Sequence, residues 1–546
     1  MSTHQAFRRQ PVPQQMAQQL QAVTLPAPTR GLIESENYTY MAPGAALVMD
    51  NWFPTMRGAQ LRGGCIRWCT LPEPMVTSAF EYASGNIQKM FAATATNLYD
   101  VTFNGAPTLI QSGQSSGNYC ASQLATMAGD YLLAVNDAGD YPLRYDGTNW
   151  VVLDPTLPTP PVPLITGPPG TTVENGKNLT YVWKYANRWF FIEGGSMNAY
   201  YLDIDSIGGE LQLIPLSGAA NKGGKLLFGA TWTIDAGDGL DDKCCFVTDQ
   251  GEVLIFSGTN PSDAANWRQE GRYQVPQPMG MNAHVLLGGD LLIATVDGVC
   301  PLSAAISKDA GQLQLAMLTM TIRRTWRDQV LAKSNLPWTM ERWDEYGAMF
   351  VTWPGGPVGS RMCVVVNTAT GAWCRFVGWD ATCFIRMRGD MFFGTQDGYI
   401  MQADRTGYDD GVPYVCTLVG GWEMFQSPSE TCVWHQARAS FQAGIAEPFI
   451  PQITACTDYV VSVTTPPNPG KDPGVEDLWD QGLWDEALWD QPSKGAPGVR
   501  NTGWVSVGLT GFSHAPVLQV QVAQAAKPNV EFISLAATFE RLGVNV

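Results

Sequence analysis

FEYASGNIQKMFAATATNLYDVTFNG, residues 80 to 105, is the stretch from which the fold of this chain can be worked out. Residues 89–93 and 97–101 are two short runs rich in apolar and aromatic side chains, with a Thr-rich turn between them. Short runs of this kind around a tight turn predict a β-hairpin. The hairpin decides the fold because similar units follow it along the chain.

Units of apolar strand, turn and apolar strand recur to about residue 420. After the first, they lie at 119–154, at 180–216, around CCFVTDQGEVLIF (244–256), at HVLLGGDLLIATVDGVCPLS (284–303) and at 348–403. Repeats of roughly 40 to 60 residues with several strands each are typical of β-propeller blades. We therefore predict an all-β fold with a propeller of about six blades over residues 76–420.

The remaining segments flank this repeat. Residues 1–28 are rich in Gln, Pro and Ala, which predicts a flexible arm or one ordered by a partner. Residues 29–75 form an N-terminal β segment. Longer alternating segments after 420 predict a second β domain over 421–546, with the N-terminal segment as a candidate contributor.

A five-residue repeat, DLWDQGLWDEALWD (477–490), lies within a predicted insertion at 472–498. Its period matches neither a helix nor a strand, so an irregular loop is expected. The candidate interface residues are Trp479, Trp484, Trp489, Asp480, Asp485 and Asp490. Two interpretations stay open: a clamp whose tryptophans anchor on a neighbouring subunit, and self-packing under the C-terminal domain.

The amino-acid composition argues against some classes of function. The 546 residues include 33 basic and 50 acidic side chains, a formal net charge of −17, which is the wrong sign for gripping phosphate backbones. An acidic passage through which DNA slides is compatible with it. Neither a signal peptide nor an apolar run long enough for a membrane span is present, so we expect folding in the cytoplasm.

No pattern in the sequence indicates an enzyme. The four histidines (4, 284, 435 and 514) fall in no catalytic or metal-binding motif, and no P-loop or dinucleotide fingerprint occurs. We therefore predict no enzymatic activity and no cofactor. A carboxylate pair for glycoside hydrolysis stays open, because sequence alone does not place two acids together.

Metal binding also has little basis in the sequence. Cys65 and Cys69 have a ligand-like gap, but no second pair completes a zinc site, and the twelve cysteines resemble small buried hydrophobes. Acidic clusters at 235–242 and 404–410 are interpreted as solvated turns, with calcium as the alternative. We predict no metal site.

Three stretches resemble a known family. The first comprises Arg30-Gly31-Leu32, the run from Met41 through Asp50, Asn51, Trp52, Phe53 and Pro54, and Leu61-Arg62-Gly63-Gly64. The second is GEVLIFSGTNP (251–261) with the nearby Asn266-Trp267 and Gly271-Arg272-Tyr273, and the third is VNTATGAW (366–373) with FGTQDG (393–398). Together they resemble tail nozzle, or distal tail tubular, proteins of short-tailed bacteriophages (podophages).

The resemblance implies a structural virion protein. Members form a homohexameric ring at the distal tail end, below a tubular adaptor ring, and genomic DNA leaves through the lumen without specific binding. Tail fibres or spikes are further expected partners, and the expected location is the virion tail after assembly in the host cytoplasm. Two alternatives remain: a glycan-binding propeller adhesin used in host adsorption, and a propeller enzyme with a central metal.

Overall fold

The computed structural model describes residues 20–233, 242–263, 265–333, 336–353, 355, 361–425, 430–444, 448–463 and 498–543. In this part of the chain almost all regular structure is β-strand. The N-terminal strands are β1 (Gln21–Pro26), β2 (Ala46–Asp50), β3 (Trp52–Pro54), β4 (Ala59–Leu61) and β5 (Gly64–Thr70), with a 3-10 turn at Tyr38–Tyr40.

Strands β6 to β33 follow in the repeated region. They are β6 (Ser78–Ser84), β7 (Ile87–Ala93), β8 (Leu98–Asp100), β9 (Thr108–Gln111), β10 (Tyr119–Thr126), β11 (Gly129–Asn136), β12 (Leu143–Tyr145), β13 (Trp150–Val152), β14 (Ile165–Thr166), β15 (Leu179–Tyr185), β16 (Arg188–Glu193), β17 (Asn198–Tyr201), β18 (Gly209–Glu210), β19 (Gln212–Pro215), β20 (Leu226–Trp232), β21 (Lys243–Thr248), β22 (Glu252–Ser257), β23 (Arg268–Gln274), β24 (His284–Leu287), β25 (Asp290–Thr295), β26 (Gly298–Pro301), β27 (Thr339–Trp343), β28 (Ala348–Thr352), β29 (Met362–Asn367), β30 (Trp373–Val377), β31 (Ala381–Met387), β32 (Asp390–Thr395) and β33 (Tyr399–Thr406).

The C-terminal strands are β34 (Tyr414–Gly420), β35 (Thr431–Ala443), β36 (Gln452–Thr457), β37 (Gly498–Asn501), β38 (Val505–Gly511), β39 (His514–Val522) and β40 (Val530–Gly543). Helices α1 (Leu302–Ser307), α2 (Ala310–Leu313) and α3 (Arg323–Lys333), with short 3-10 turns at Gln314–Ala316 and Met320–Ile322, lie between β26 and β27. No helix in the described ranges is both long and apolar enough to cross a membrane.

The repeated region is a β-propeller, as the sequence predicts. Counted along the chain, the first four blades are the four-stranded antiparallel sheets β6–β9, β10–β13, β15-β16-β17-β19 and β20–β23. The sixth blade is β27–β30, the first four strands of an eight-stranded sheet, and the last blade is β31–β33 with β5. Between the fourth and the sixth blade lies a three-stranded sheet, β24–β26. The predicted unit 348–403 divides between two neighbouring blades, because its two turn motifs, at 367–373 and 393–398, follow strands of different sheets.

The middle strands explain the apolar runs in the sequence. Strand β16 is buried at all six residues, RWFFIE, because neighbouring blades cover both of its faces. A strand covered on both sides has a continuous rather than an alternating apolar pattern. Each fully buried Phe or Ile side chain contributes about 1.5 to 3 kcal/mol, so packing between blades is the main source of stability.

The turn at Leu318 and Thr319, between the two 3-10 turns, takes the place of a fourth strand in the three-stranded blade. The Leu318 amide donates to the Val299 carbonyl at 3.0 Å, and the Thr319 hydroxyl accepts from the Val299 amide at 3.1 Å. These bonds satisfy the backbone along the outer edge of β26, where an unpaired edge would invite association.

The ends of the chain meet in a second β domain, as predicted. Strands β1, β3, β4, β35, β37, β38 and β40 form one sheet. Strands β2, β34, β39 and β36 form another, which continues the sixth blade where β2 pairs with β30. Core side chains from both sheets, such as Leu25, Trp434 and Val520, belong to one cluster with those of the sixth blade.

Three predicted boundaries differ from the structure. The arm predicted over 1–28 contains β1, because Val23 and Leu25 alternate inward and the strand pairs with β40. Within the predicted segment 29–75, β5 belongs to the propeller, where it completes the last blade beside β33. Strand β34, placed in the propeller by the 420 boundary, belongs to the second domain because its partners are β2 and β39.

Candidate functional site

Asp50 and Asn51 of the family-like motif lie where the second β domain joins the sixth blade. An Asp50 carboxylate oxygen is 2.6 Å from Arg375 Nε, and burial raises the pKa of Asp50 although Arg375 lowers it. Asn51 has a φ of 63°, a left-handed conformation that Asn tolerates better than most residues. Its amide donates to the Val415 carbonyl and accepts from the Val377 amide, each at 2.8 Å.

Trp52 and Phe53 anchor the same segment in the core. Trp52 is fully buried, with its ring 6.5 Å from that of Phe532. The Phe53 ring lies edge-on to Tyr346 at 4.9 Å. Trp52 and Phe53 are packed inside the protein, so these two side chains of the motif have a structural position and present no surface to a ligand.

Arg62 links the motif to the end of the propeller. Its side chain is fully buried, and its two terminal nitrogens donate to the Asp409 carboxylate at 2.8 and 2.6 Å. Nε donates to the Asn51 side chain at 2.8 Å, and the guanidinium lies 4.1 Å from the centre of the Tyr414 ring. Burial lowers the pKa of Arg62, but the charge and hydrogen bonds of Asp409 outweigh it and raise that pKa above its ordinary value.

Two of the family-like stretches meet at this junction. The Leu32 amide donates to the Trp373 carbonyl at 2.7 Å, and the Asn367 side chain donates to the Pro54 carbonyl at 2.8 Å. Gly31 has a φ of +72°, and a Cβ there would lie 2.4 Å from the Trp373 oxygen, so only glycine fits. The stretch at 251–273 lies apart, in β22 and β23 of the fourth blade.

Side chains close the propeller's own axis. Asn282, before β24, donates to the Asn118 side chain, before β10, at 3.1 Å. One level below, the Tyr181 hydroxyl lies 3.2 Å from His284 Nε2, and the His284 ring stacks on Phe228 at 4.1 Å. Burial lowers the pKa of His284 to about 4, so the imidazole is neutral at pH 7. Nothing as wide as a DNA duplex can pass between side chains in hydrogen-bond contact.

Two cavities lie along this axis. The first, which we call the upper funnel, has a volume of about 830 Å³ and is lined mainly by polar residues. They include Ser116, Asn118, Asp137, Lys225, Asp249 and Asn282. The second, which we call the axial chamber, has a volume of about 230 Å³. Its lining includes Phe80, Tyr119, Tyr181, His284, Glu341 and Phe384.

Glu341 is the acid of the axial chamber. Its carboxylate is 3.4 Å from Arg386 Nε and accepts from the Arg342 amide at 3.2 Å. The side chain is 27% exposed, and its partial burial raises the pKa of Glu341 to about 7 although Arg386 lowers it. A carboxyl that titrates near neutrality is unusual enough to mark the chamber as a candidate site.

The acidic turn at 404–410 differs from the prediction of solvated carboxylates. Asp404 pairs with Lys527, and its side chain is 11% exposed; Asp409 pairs with the buried Arg62. Asp410 pairs with Arg67 and is the most exposed of the three. The carboxylates are engaged by cations of the protein itself. Of the other acidic cluster, Asp235, Asp238 and Asp241 lie outside the described residues.

Cysteines and histidines do not assemble into a centre in the described chain. Cys65 and Cys69 lie in different core clusters, and burial raises the pKa of Cys69 to about 12. His435 faces Glu540 at 3.2 Å, and His514 is buried with a lowered pKa. Within the described ranges, no three His, Cys, Asp or Glu side chains come together as metal ligands would.

The sequence does not indicate which residues make the polar contacts at the junction and in the axial chamber. Arg62, Asp409 and Glu341 were not singled out for these roles, since their partners are distant in sequence. The one available signal for Arg62 was its position in a family-like stretch. The predicted interface residues Trp479, Trp484, Trp489, Asp480, Asp485 and Asp490 lie outside the described residues, so their role stays a prediction.

No family model and no curated protein matches the chain. Among solved structures, it is similar to the β-propeller domain of Cps50 (Swd1) from Myceliophteria thermophila, with 12% identity over 62% of this chain and 99% of that one and a TM-score of 0.38. BamB from Moraxella catarrhalis matches with 11% identity over 65% and 94% of the two chains and a TM-score of 0.31. Raptor from Chaetomium thermophilum has 11% identity over 65% and 29%, with a TM-score of 0.36. The propeller assignment itself rests on the strand pairings of this chain.

Proposed function

We propose that the chain is a non-enzymatic structural subunit of a short-tailed bacteriophage tail, forming a ring-shaped nozzle through which genomic DNA leaves. The observation that carries this proposal is the meeting of family-like stretches at one junction. Gly31 lies against Trp373, Pro54 accepts from Asn367, and Arg62 donates to Asn51. Residues chosen for their resemblance, and far apart in sequence, form one connected unit.

In the proposed ring, DNA does not pass through the centre of the propeller itself. The Asn118–Asn282 and Tyr181–His284 contacts block the centre of each propeller. A conduit for a duplex therefore forms between copies of the chain, around the symmetry axis of a closed ring. The formal net charge of −17 suits such a lumen, because acidic walls release no counterions from DNA and so do not hold it.

Electron microscopy of the purified chain with its tail partners, together with its mass in solution, tests the proposal. We expect a closed ring, hexameric by the resemblance, with an axial channel wide enough for a duplex. Replacing Trp479, Trp484 and Trp489 together with alanine is expected to weaken ring closure if the repeat is an interface clamp. Trp504→Ala, at a tryptophan 44% exposed on the second domain, is the matched control. Monomers or trimers with all partners present would overturn the nozzle proposal.

A binding propeller is the second candidate, favoured by the upper funnel. Its volume of about 830 Å³ and its polar lining would admit an oligosaccharide. Stacking on tryptophan has less support, because in the described chain Trp504 is the tryptophan with substantial exposure. A glycan array with the intact chain tests this candidate: saturable binding that Asp137→Asn and Asp249→Asn reduce would establish it, and no binding would remove it.

A further inference from the structure

The axial chamber combines aromatic walls with a carboxylate. Phe80, Tyr119, Tyr181 and Phe384 come from the innermost strands of four different blades, β6, β10, β15 and β31. Glu341, on β27, is the carboxylate among the residues that line this cavity. The volume of about 230 Å³ leaves room for several water molecules or a small organic group.

Organic cations are the ligands that such surroundings select. An aromatic ring attracts a cation through its quadrupole, and the attraction is larger where water is scarce. Oε1 of Glu341 accepts from the Arg342 amide and lies near Arg386 Nε. The second carboxylate oxygen of Glu341 is left for a ligand. His284 in the same wall adds no positive charge, since burial lowers its pKa to about 4.

The charges behind the chamber also disfavour an anion. Arg386 is shared between Glu341 and Asp344, at 3.4 and 3.2 Å. Arg342 lies 3.4 Å from Asp344 as well. Glu81, on β6, interacts electrostatically with both Arg386 and Glu341. Above pH 7, where Glu341 has lost its proton, three carboxylates face two guanidinium groups, which leaves negative charge for an incoming ammonium.

We propose that the axial chamber binds an organic ammonium group, with Glu341 as its counter-ion and the surrounding aromatic rings as its walls. The group has two sources: a free small amine, and a lysine side chain of a partner polypeptide seated in the upper funnel. The funnel adjoins the chamber, because Thr77 and Asn282 line both. The proposal does not depend on ring formation.

Calorimetric titration of the full-length chain tests it. The probes are n-butylammonium, the uncharged n-butanol of similar size, and a blocked Gly-Lys-Gly peptide. We expect saturable binding of butylammonium about ten-fold tighter than that of butanol; ten-fold corresponds to about 1.4 kcal/mol, which lies in the range of a cation's interaction with aromatic rings. A tighter peptide assigns the ligand to a partner's lysine, and a peptide that does not bind assigns it to a free amine.

Variants locate the site. Glu341→Gln keeps the shape of the side chain and is expected to weaken butylammonium about ten-fold, whereas Asp137→Asn, in the funnel, is expected to change it less than two-fold. Cooperative thermal melting of both variants, at a temperature no lower than that of the natural chain, serves as the folding check. Equal binding of butanol and butylammonium to the natural chain, or no saturable binding of any ammonium probe, overturns the proposal even if Glu341→Gln does not fold. Ring closure is measured separately, so failure here leaves the nozzle proposal standing.

Discussion

Replacing Asp409 with alanine removes the counter-charge of Arg62, a guanidinium that the structure buries completely. Asp409 accepts two of its hydrogen bonds, at 2.8 and 2.6 Å. The partners left after the substitution, the Asn51 side chain and the Gly63 and Val377 carbonyls, carry no charge. An uncompensated buried charge costs about 3 to 5 kcal/mol, so we expect Asp409→Ala to lower the free energy of unfolding by that amount.

The neighbouring residue supplies the control. Asp410 also pairs with an arginine, Arg67, but the two side chains are 37% and 42% exposed. Exposed pairs contribute about 0 to 1 kcal/mol, so Asp410→Ala should be nearly neutral. The double variant Arg62→Met with Asp409→Leu removes both charges and is expected to recover much of the loss, since apolar groups tolerate the same site.

Urea denaturation followed by tryptophan fluorescence measures these differences, and hydrogen exchange locates them. We expect faster exchange in β3, β4 and β34 of Asp409→Ala than in β7 or β16, which lie far from the junction. A loss below about 1 kcal/mol for Asp409→Ala, or one equal to that of Asp410→Ala, would refute the account of Arg62 as a buried charge that depends on Asp409.

Three further predictions concern other parts of the chain. The folded pKa of Glu341, about 7, lies above its ordinary value of 4.5, so between these pH values the folded chain keeps a proton that the unfolded chain has lost. The free energy of unfolding should therefore fall by about 3 kcal/mol from this group as pH rises from 4.5 to 7, and level off above; Glu341→Gln should remove that slope in urea titrations at several pH values. Gly31→Ala should cost more than about 1 kcal/mol in the same assay, whereas Gly85→Ala, at a comparable φ with open space around it, should cost less. Thiol reagents should leave Cys245 and Cys383 unmodified in the native chain and label them in urea, because both thiols are buried and burial raises the pKa of Cys383 to about 11.

Local patterns predicted the repeated part of the fold well. The hairpin expected at 89–93 and 97–101 is β7 and β8, which pair antiparallel. Such elements are visible in sequence because their two strands lie within a few residues of each other, and their turns need Gly or Asn. The pairing of β5 with β33, more than three hundred residues apart, had no local signal.

The candidate site, too, was predictable only where its signal is local in the sequence. The motif at 50–54 was found through resemblance, but its role at the junction depends on partners such as Arg375 and Val415 at the other end of the chain. The turn at 404–410 has the composition of a solvated loop, and nothing local indicates that Asp409 faces a buried arginine. The axial chamber is assembled from short runs of residues on several blades, so no one contiguous motif encodes it.

Closure of the last blade by β5 has a consequence for synthesis of the chain on the ribosome. Strands β1 to β5 emerge first, yet their partners β33, β34 and β40 are translated last. The nascent chain therefore carries unpaired strand edges through most of its translation, a period in which association with other chains competes with folding. Chains released early, before residue 399, have neither a closed ring of blades nor the partner strands of β1 and β5, and such fragments should be recovered as aggregates or in complex with chaperones.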